Sequence, residues 1–193
     1  MRHFYKSAMW RKEPEKKTVY LTFDDGPVPE VTPWVLDKLK EYGISATFFC
    51  VGENVQKYPE LFERIKAEGH SVGNHTFNHI TGFNSNYDVF LKNIEEADVL
   101  IQSKLFRPPH GHLTRGQCLK LKEKYQIVMW DVITRDYNQA LKPEKVFAIA
   151  TKYTRNGSLV VFHDSLKAEK NMKYAMPKTV EYLLEKGYTF DKL

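Results

Sequence analysis

Between Lys17 and Pro27, apolar Val19, Leu21 and Phe23 alternate with Thr18, Tyr20 and Thr22, the period-two signature of a strand, and Gly26-Pro27 ends it abruptly. Val31, Trp34, Val35, Leu36 and Leu39 then recur at helical spacing as far as the stop signal Gly43. The two periods go on alternating. Extended segments are predicted at 46–52, 70–74, 105–106, 126–130, 158–162 and 188–190. Helices are predicted near 59–68, 88–103, 117–124, 143–153 and 177–187. About seven strands separated by helices predict an α/β domain with a mostly parallel sheet, closed into a barrel or left open; periodicity does not choose between the two.

The first strand delivers Asp24 and Asp25 side by side at its C-terminal end. In parallel α/β folds that edge gathers the loops that bind ligands. Adjacent carboxylates repel unless a cation neutralises one or they share a proton. A cation would find further donors in His75 and His79 of NHTFNHI, because on a helical turn an i, i+4 pair presents both imidazoles on one face. Asp25, His75 and His79 make a two-histidine, one-carboxylate set. Such a set leaves positions open for water and substrate, whereas structural zinc sites are closed and typically cysteine-rich. The RPPHG turn after Phe106, the segment 130–136 and His163 also follow strand ends, so a parallel sheet brings them to the same face.

Composition narrows the partners. At 193 residues, 42% hydrophobic and 13% aromatic, the chain has the mass for a single domain with a sizeable core. Residues 1–16 read as a basic and aromatic arm carrying Arg2, Lys6, Arg11, Lys12 and Lys16 with Phe4, Tyr5 and Trp10; residues 17–193 read as the domain. The arm's longest apolar run, Ala8-Met9-Trp10, is too short for a signal-peptide core, and nothing reads as a transmembrane segment. The expectation is a cytoplasmic monomer whose arm packs across the bottom of the fold. The net charge of +5 is spread along the chain without a basic block interleaved with stacking aromatics, which argues against a nucleic-acid partner. Cys50 ends an apolar strand and no CxxC spacing is present, so a buried free thiol is expected rather than a disulfide.

Five motifs in order, TFDDGP at 22–27, HTFNH at 75–79, RPPHG at 107–111, the segment 130–136 and VFHD at 161–164, resemble those of the polysaccharide deacetylase family, the NodB-homology or carbohydrate esterase family 4 enzymes. The resemblance covers 17–193. It implies a distorted (β/α) barrel of about seven mostly parallel strands and a divalent metal, commonly Zn²⁺, with Co²⁺, Ni²⁺, Mn²⁺ or Fe²⁺ as alternatives. It further implies hydrolytic loss of N-acetyl groups from a glycan such as chitin oligomers or peptidoglycan. Carried over by residue, Asp25, His75 and His79 are the ligands and Asp24 the general base. His163 is the general acid, Arg107 orients Asp24, and Asp136 pairs with His163 or Arg107. Pro108, His110, Trp130 and Val161 would meet the substrate, with the His110 backbone N–H facing the oxyanion. The roles make chemical sense: a metal polarises an unreactive amide and brings a water's pKa toward about 7, and an imidazole can supply the proton that the departing amine requires.

The chain departs from the family pattern at His110, where Tyr is common, at Val161 for Leu and at Tyr137 for Trp. Two other readings share the motifs. One is an O-acetyl esterase acting on xylan, whose leaving alcohol needs less help from His163. The other is a catalytically silent, metal-stabilised carbohydrate-binding domain, which would not need Asp24 or His163. His70 and His112 read as structural or as supporting the ligands from behind, His3 as part of an exposed arm, and Asn74 and Thr76 as side-chain braces for the histidine turn. Asp164 reads as ordering its loop.

Overall fold

The computed structural model describes residues 5–83 and 85–193; Arg2, His3 and Phe4 of the arm lie outside them. Strand β1 (Thr18–Asp24) is buried along all but its first residue. Alternation usually marks a strand with one wet face, yet here both faces are covered. Val19, Leu21 and Phe23 pack under helices with Phe48, Val160 and Phe162. On the other face Tyr20 joins Phe49, Val128 and Leu159 inside the curl of the sheet.

The remaining strands are β2 (Thr47–Cys50), β3 (Ser71–Asn74), β4 (Leu105–Phe106), β5 (Gln126–Ile127), β6 (Val132–Ile133), β7 (Leu159–His163) and β8 (Thr189–Phe190). Seven of them form a curled parallel sheet in the order β5-β4-β3-β2-β1-β7-β6, and β8 pairs with the start of β1. This is the distorted, incompletely closed barrel expected. The helices are α1 (Thr32–Glu41), α2 (Gly52–Lys57), α3 (Pro59–Ala67), α4 (Tyr87–Ile101), α5 (Arg115–Lys124), α6 (Pro143–Lys152) and α7 (Glu169–Glu185). No helix among the described residues is long and apolar enough to cross a membrane.

Three elements differ from the sequence expectation. The expected strand 126–130 pairs regularly only at Gln126–Ile127, and the separate strand β6 follows, held by register with Val160 and Val161. Helix α2 is too short to show a period. Helix α7 starts at Glu169 rather than at Pro177, which lies inside it. A proline there forfeits one backbone hydrogen bond, but Met172, Ala175 and Met176 before it, like Val180 and Leu183 after it, are buried in the main core. Packing of that face overrides the local break.

The arm closes the open side of the sheet. Met9 pairs in parallel with Val128, and Arg11 bridges Ser158 just before β7. Tyr5 and Ala8 are buried with Phe106, Leu113 and Ile127, and the Tyr5 hydroxyl donates to the Leu113 carbonyl. Deleting residues 2–16 removes these apolar groups and uncovers Ile127 and Val128. The expected result is a Tm lowered by roughly 5–10 °C in calorimetry. An unchanged Tm would leave the arm free for another role.

Candidate active site

Parallel register sets Asp24 beside Phe49 on β2 and His163 on β7, while β3 and β4 end at Asn74 and Phe106, immediately before His75 and Arg107. The motif residues therefore meet at the C-terminal edge. They surround a cavity of about 580 Å³ lined by Asp24, Asp25, His75, His79, His110, His112, Trp130, Ile133, Tyr137, His163 and Lys167.

Asp24 rests on Arg107. The guanidinium is fully buried, and its Nη1 donates to Asp24 Oδ1 at 2.5 Å and to Thr22 Oγ1 at 2.7 Å. Nη2 donates to the Met129 carbonyl at 2.9 Å and Nε to that of Val128 at 3.4 Å. The cation also lies 4.0 Å from the Phe49 ring centroid. Such a fork fixes one carboxylate oxygen in place, because the planar guanidinium cannot turn without breaking its other bonds.

Asp25, on the next residue, has a left-handed backbone, φ 85°, which turns its side chain away from that of Asp24. Two neighbours hold this turn. Asp164 accepts from the Gly26 N–H at 3.1 Å and from Thr32 Oγ1 at 2.6 Å, and its own N–H donates to the Asp24 carbonyl. Asn54 donates to the Asp25 carbonyl. A Cβ on Gly26 would lie 1.9 Å from the Asp164 carboxylate, so residue 26 has room only for hydrogen. Burial pushes the Asp164 pKa up to about 8.

His75 and His79 do not lie on a helical turn. The segment after β3 is irregular, and left-handed Thr76 (φ 67°) and His79 (φ 61°) curl it back, which brings the imidazole centroids to 5.1 Å. Asn74 braces the curl through Oδ1, which accepts from the Thr76 N–H. The Thr76 hydroxyl, expected to help, has no partner among the described residues.

The Nδ1–H of His75 donates to the Arg107 carbonyl at 2.7 Å. A carbonyl only accepts, so this bond places the proton on Nδ1 and the lone pair on Nε2. Burial brings the His75 pKa down to about 4, which keeps the ring neutral. His75 Nε2 and His79 Nε2 lie 3.8 and 3.3 Å from Asp25 Oδ1, and one donor atom from each of the three residues falls within 4.8 Å of the others. Burial acts to raise the Asp25 pKa, but the His79 contact and then the His163 charge outweigh it and hold it well below the carboxylate range. Two neutral-capable imidazoles and a carboxylate fit a divalent cation of the zinc type.

On the neighbouring strand β7, His163 Nδ1 contacts Asp136 Oδ1 at 2.7 Å, and Asp136 Oδ2 accepts from the His163 backbone N–H. Asp136 thus pairs with His163 and not with Arg107. Burial alone would lower the His163 pKa; the Asp136 charge and hydrogen bond, helped by Asp25 and Asp24, raise it to about 9. His110 has φ 57° in the turn Pro109–Gly111, and its backbone N–H has no hydrogen-bond partner among the described residues.

This arrangement has matches among known proteins. The sequence profile of the polysaccharide deacetylase family fits residues 11–129. The chain belongs to the polysaccharide deacetylase family. A peptidoglycan-N-acetylglucosamine deacetylase of Bacillus cereus is 33% identical over 189 residues, covering 94% of this chain and 88% of that protein. A peptidoglycan-N-acetylmuramic acid deacetylase of Bacillus subtilis is 32% identical over 182 residues, and there the chain spans only 38% of the relative's length. The crystal structure of the Bc1960 peptidoglycan N-acetylglucosamine deacetylase, in complex with a naphthalenyl N-oxidanyl-benzamide, superposes with a TM-score of 0.92 at 31% identity, over 97% of this chain and 91% of that one.

Two residues expected against substrate are placed elsewhere in this deacetylase-family chain. Val161 is fully buried and does not line the cavity; it shares the inner face of β7 with Leu159 and His163, one layer beneath the opening. Pro108 precedes the His110 turn and is also outside the lining. The apolar wall is made by Trp130, itself among the residues expected there, with Ile133 and Tyr137, and Trp130 packs over Gly111. Ile133 went unread because its strand has only two residues. His112 lines the cavity directly, whereas His70 is structural: its Nδ1 accepts from the Ala46 N–H at 3.1 Å. Lys167 has no sequence signal that would have flagged it.

Proposed function

We propose that this chain is a divalent-metal-dependent hydrolase that removes acetyl groups from N-acetylated sugars of a peptidoglycan-type glycan. The observation that carries the reading is the convergence, in one cavity, of Asp24 fixed by Arg107, His163 paired with Asp136, and the Asp25, His75 and His79 donors. The curated relatives, deacetylases of N-acetylglucosamine or N-acetylmuramic acid in peptidoglycan, support the substrate class.

Asp25, His75 and His79 would hold the cation, zinc by preference for this donor set. Once bound, it supplies charge that polarises the acetyl carbonyl and acidifies a water. The chain's own residues do the rest. Asp24 accepts the proton of the attacking water through the oxygen that Arg107 leaves free. The unpartnered His110 N–H offers a donor to the negative charge developing on the acetyl oxygen. Trp130, Ile133 and Tyr137 surround the acetyl methyl with apolar surface. His163, charged at neutral pH, gives its proton to the departing nitrogen. Acetate release from N-acetylglucosamine oligomers, compared between zinc-loaded and chelator-treated protein, tests the proposal; no acetate from the loaded protein would sink it.

The acid step has a separate test. A raised folded-state pKa means that His163 stays charged at neutral pH and loses its proton, with the stability contributed by its pairing, as pH rises through about 9. In Asp136→Asn the counter-charge is gone and burial remains, so the pKa falls. The expected results are a His163 NMR titration moved to lower pH in metal-free protein and an alkaline limb of kcat moved the same way. An unmoved titration would assign the support of His163 to other groups.

A further inference from the structure

Phe83 is 55% exposed although it stands beside the cavity mouth. One face is covered: its ring lies flat on His112, with centroids 4.9 Å apart and planes at 10°. The contacts continue inward from His112 to His110 at 5.9 Å, from His110 to His79 at 5.1 Å and from His79 to His75 at 5.1 Å. A row of rings thus leads from the metal-ligand set to solvent. His112 lines the cavity and Phe83 lies just beyond it.

What distinguishes Phe83 from the chain's other exposed apolar side chains is that its inner face is already held flat by a ring of the cavity lining, which leaves its outer face open to a ligand leaving the cavity. The backing by His112 fixes the ring orientation in advance, which lowers the entropy lost when a ligand stacks on it. Pyranose rings suit such a surface, since their C–H groups form apolar faces while the hydroxyls stay at the edges in water. In a linear glycan the neighbour of the reacting sugar must leave the cavity at its mouth.

We propose that Phe83, backed by His112, is a stacking subsite for a second sugar residue of the glycan, adjoining the residue whose acetyl group reaches Asp24 and Asp25. The inference rests on the deacetylase reading and adds a preference for oligomers, expressed in binding rather than in the chemical step. His110, where the family commonly has tyrosine, links the subsite to the metal-ligand histidines in this chain.

The test is a series of N-acetylglucosamine oligomers, from dimer to pentamer, with zinc-loaded wild type, Phe83→Ala and Phe83→Trp. In wild type KM is expected to fall as the chain lengthens. Phe83→Ala should raise KM for the tetramer and pentamer roughly tenfold and flatten the length dependence, with the loss in KM rather than kcat. Phe83→Trp should restore the trend. A loss equal at every length, or a Trp variant no better than Ala, overturns the subsite. If wild type releases no acetate from any oligomer, the deacetylase reading fails by itself. Calorimetric Kd values for the same oligomers then decide the subsite: it stands if Phe83→Ala weakens only the longer ones and falls if it does not.

Discussion

Asp24→Asn is expected to lower kcat about a thousandfold while leaving the zinc content intact, the loss typical of removing a positioned general base. The geometry separates the two carboxylates. Asp25 supplies the oxygen nearest both imidazoles, whereas Asp24 has one oxygen bound by Arg107 and stands outside the donor set. Asparagine at 24 keeps a side-chain oxygen for Arg107 Nη1, and Thr22, Val128 and Met129 still accept from the guanidinium. The fold should therefore survive at a cost of up to about 3–5 kcal/mol, since the buried Arg107 cation keeps its hydrogen bonds but loses its counter-charge. Asp25→Asn is the contrasting variant, with a lost ligand charge and lower zinc content by elemental analysis. Equal zinc loss in both variants would mean that Asp24 belongs to the ligand set. A fall in kcat of less than about tenfold would move the role of proton acceptor to another group.

The edge that carries the candidate site was legible in sequence because strand ends and motif residues coincide. Asp24, Asp25, His75, Arg107 and His163 sit at or one residue past the ends of β1, β3, β4 and β7, and a parallel sheet collects such ends whatever its curvature. What was not legible depends on long-range packing. The i, i+4 spacing of His75 and His79 suggested a helical turn, yet two left-handed residues join the rings, a conformation that composition does not announce for Thr or His. Strand β6 exists through its register with β7, so its two residues carry no period. Alternation correctly puts Val161 on the face of His163, but the depth at which the barrel interior ends and the cavity begins is set by the curl of the sheet. The arm's role was equally a matter of the open edge it covers.

Arg107→Met should cost about 3–5 kcal/mol, the range for breaking a buried ion pair by removing one partner, and lower Tm by roughly 10 °C. The reason is less the lost attraction than what stays behind. Asp24 is 4% exposed and would have no counter-charge, and the carbonyls of Val128 and Met129 would lose the donors they use. Methionine approximates the volume over Phe49 but offers no donor. A double-mutant cycle isolates the charge: in Arg107→Met/Asp24→Asn the orphaned carboxylate is gone, so the pair should be less destabilised than the sum of the singles by about 0.5–3 kcal/mol in denaturant titration. Strict additivity would instead assign the cost of Arg107→Met to the backbone carbonyls and to packing in the barrel interior. Arg107→Lys adds the geometric half of the argument. A lysine restores positive charge but cannot reach Asp24, Val128 and Met129 from one planar group, so it should recover part of the stability and little of kcat, because Asp24 would be neutralised without being aimed.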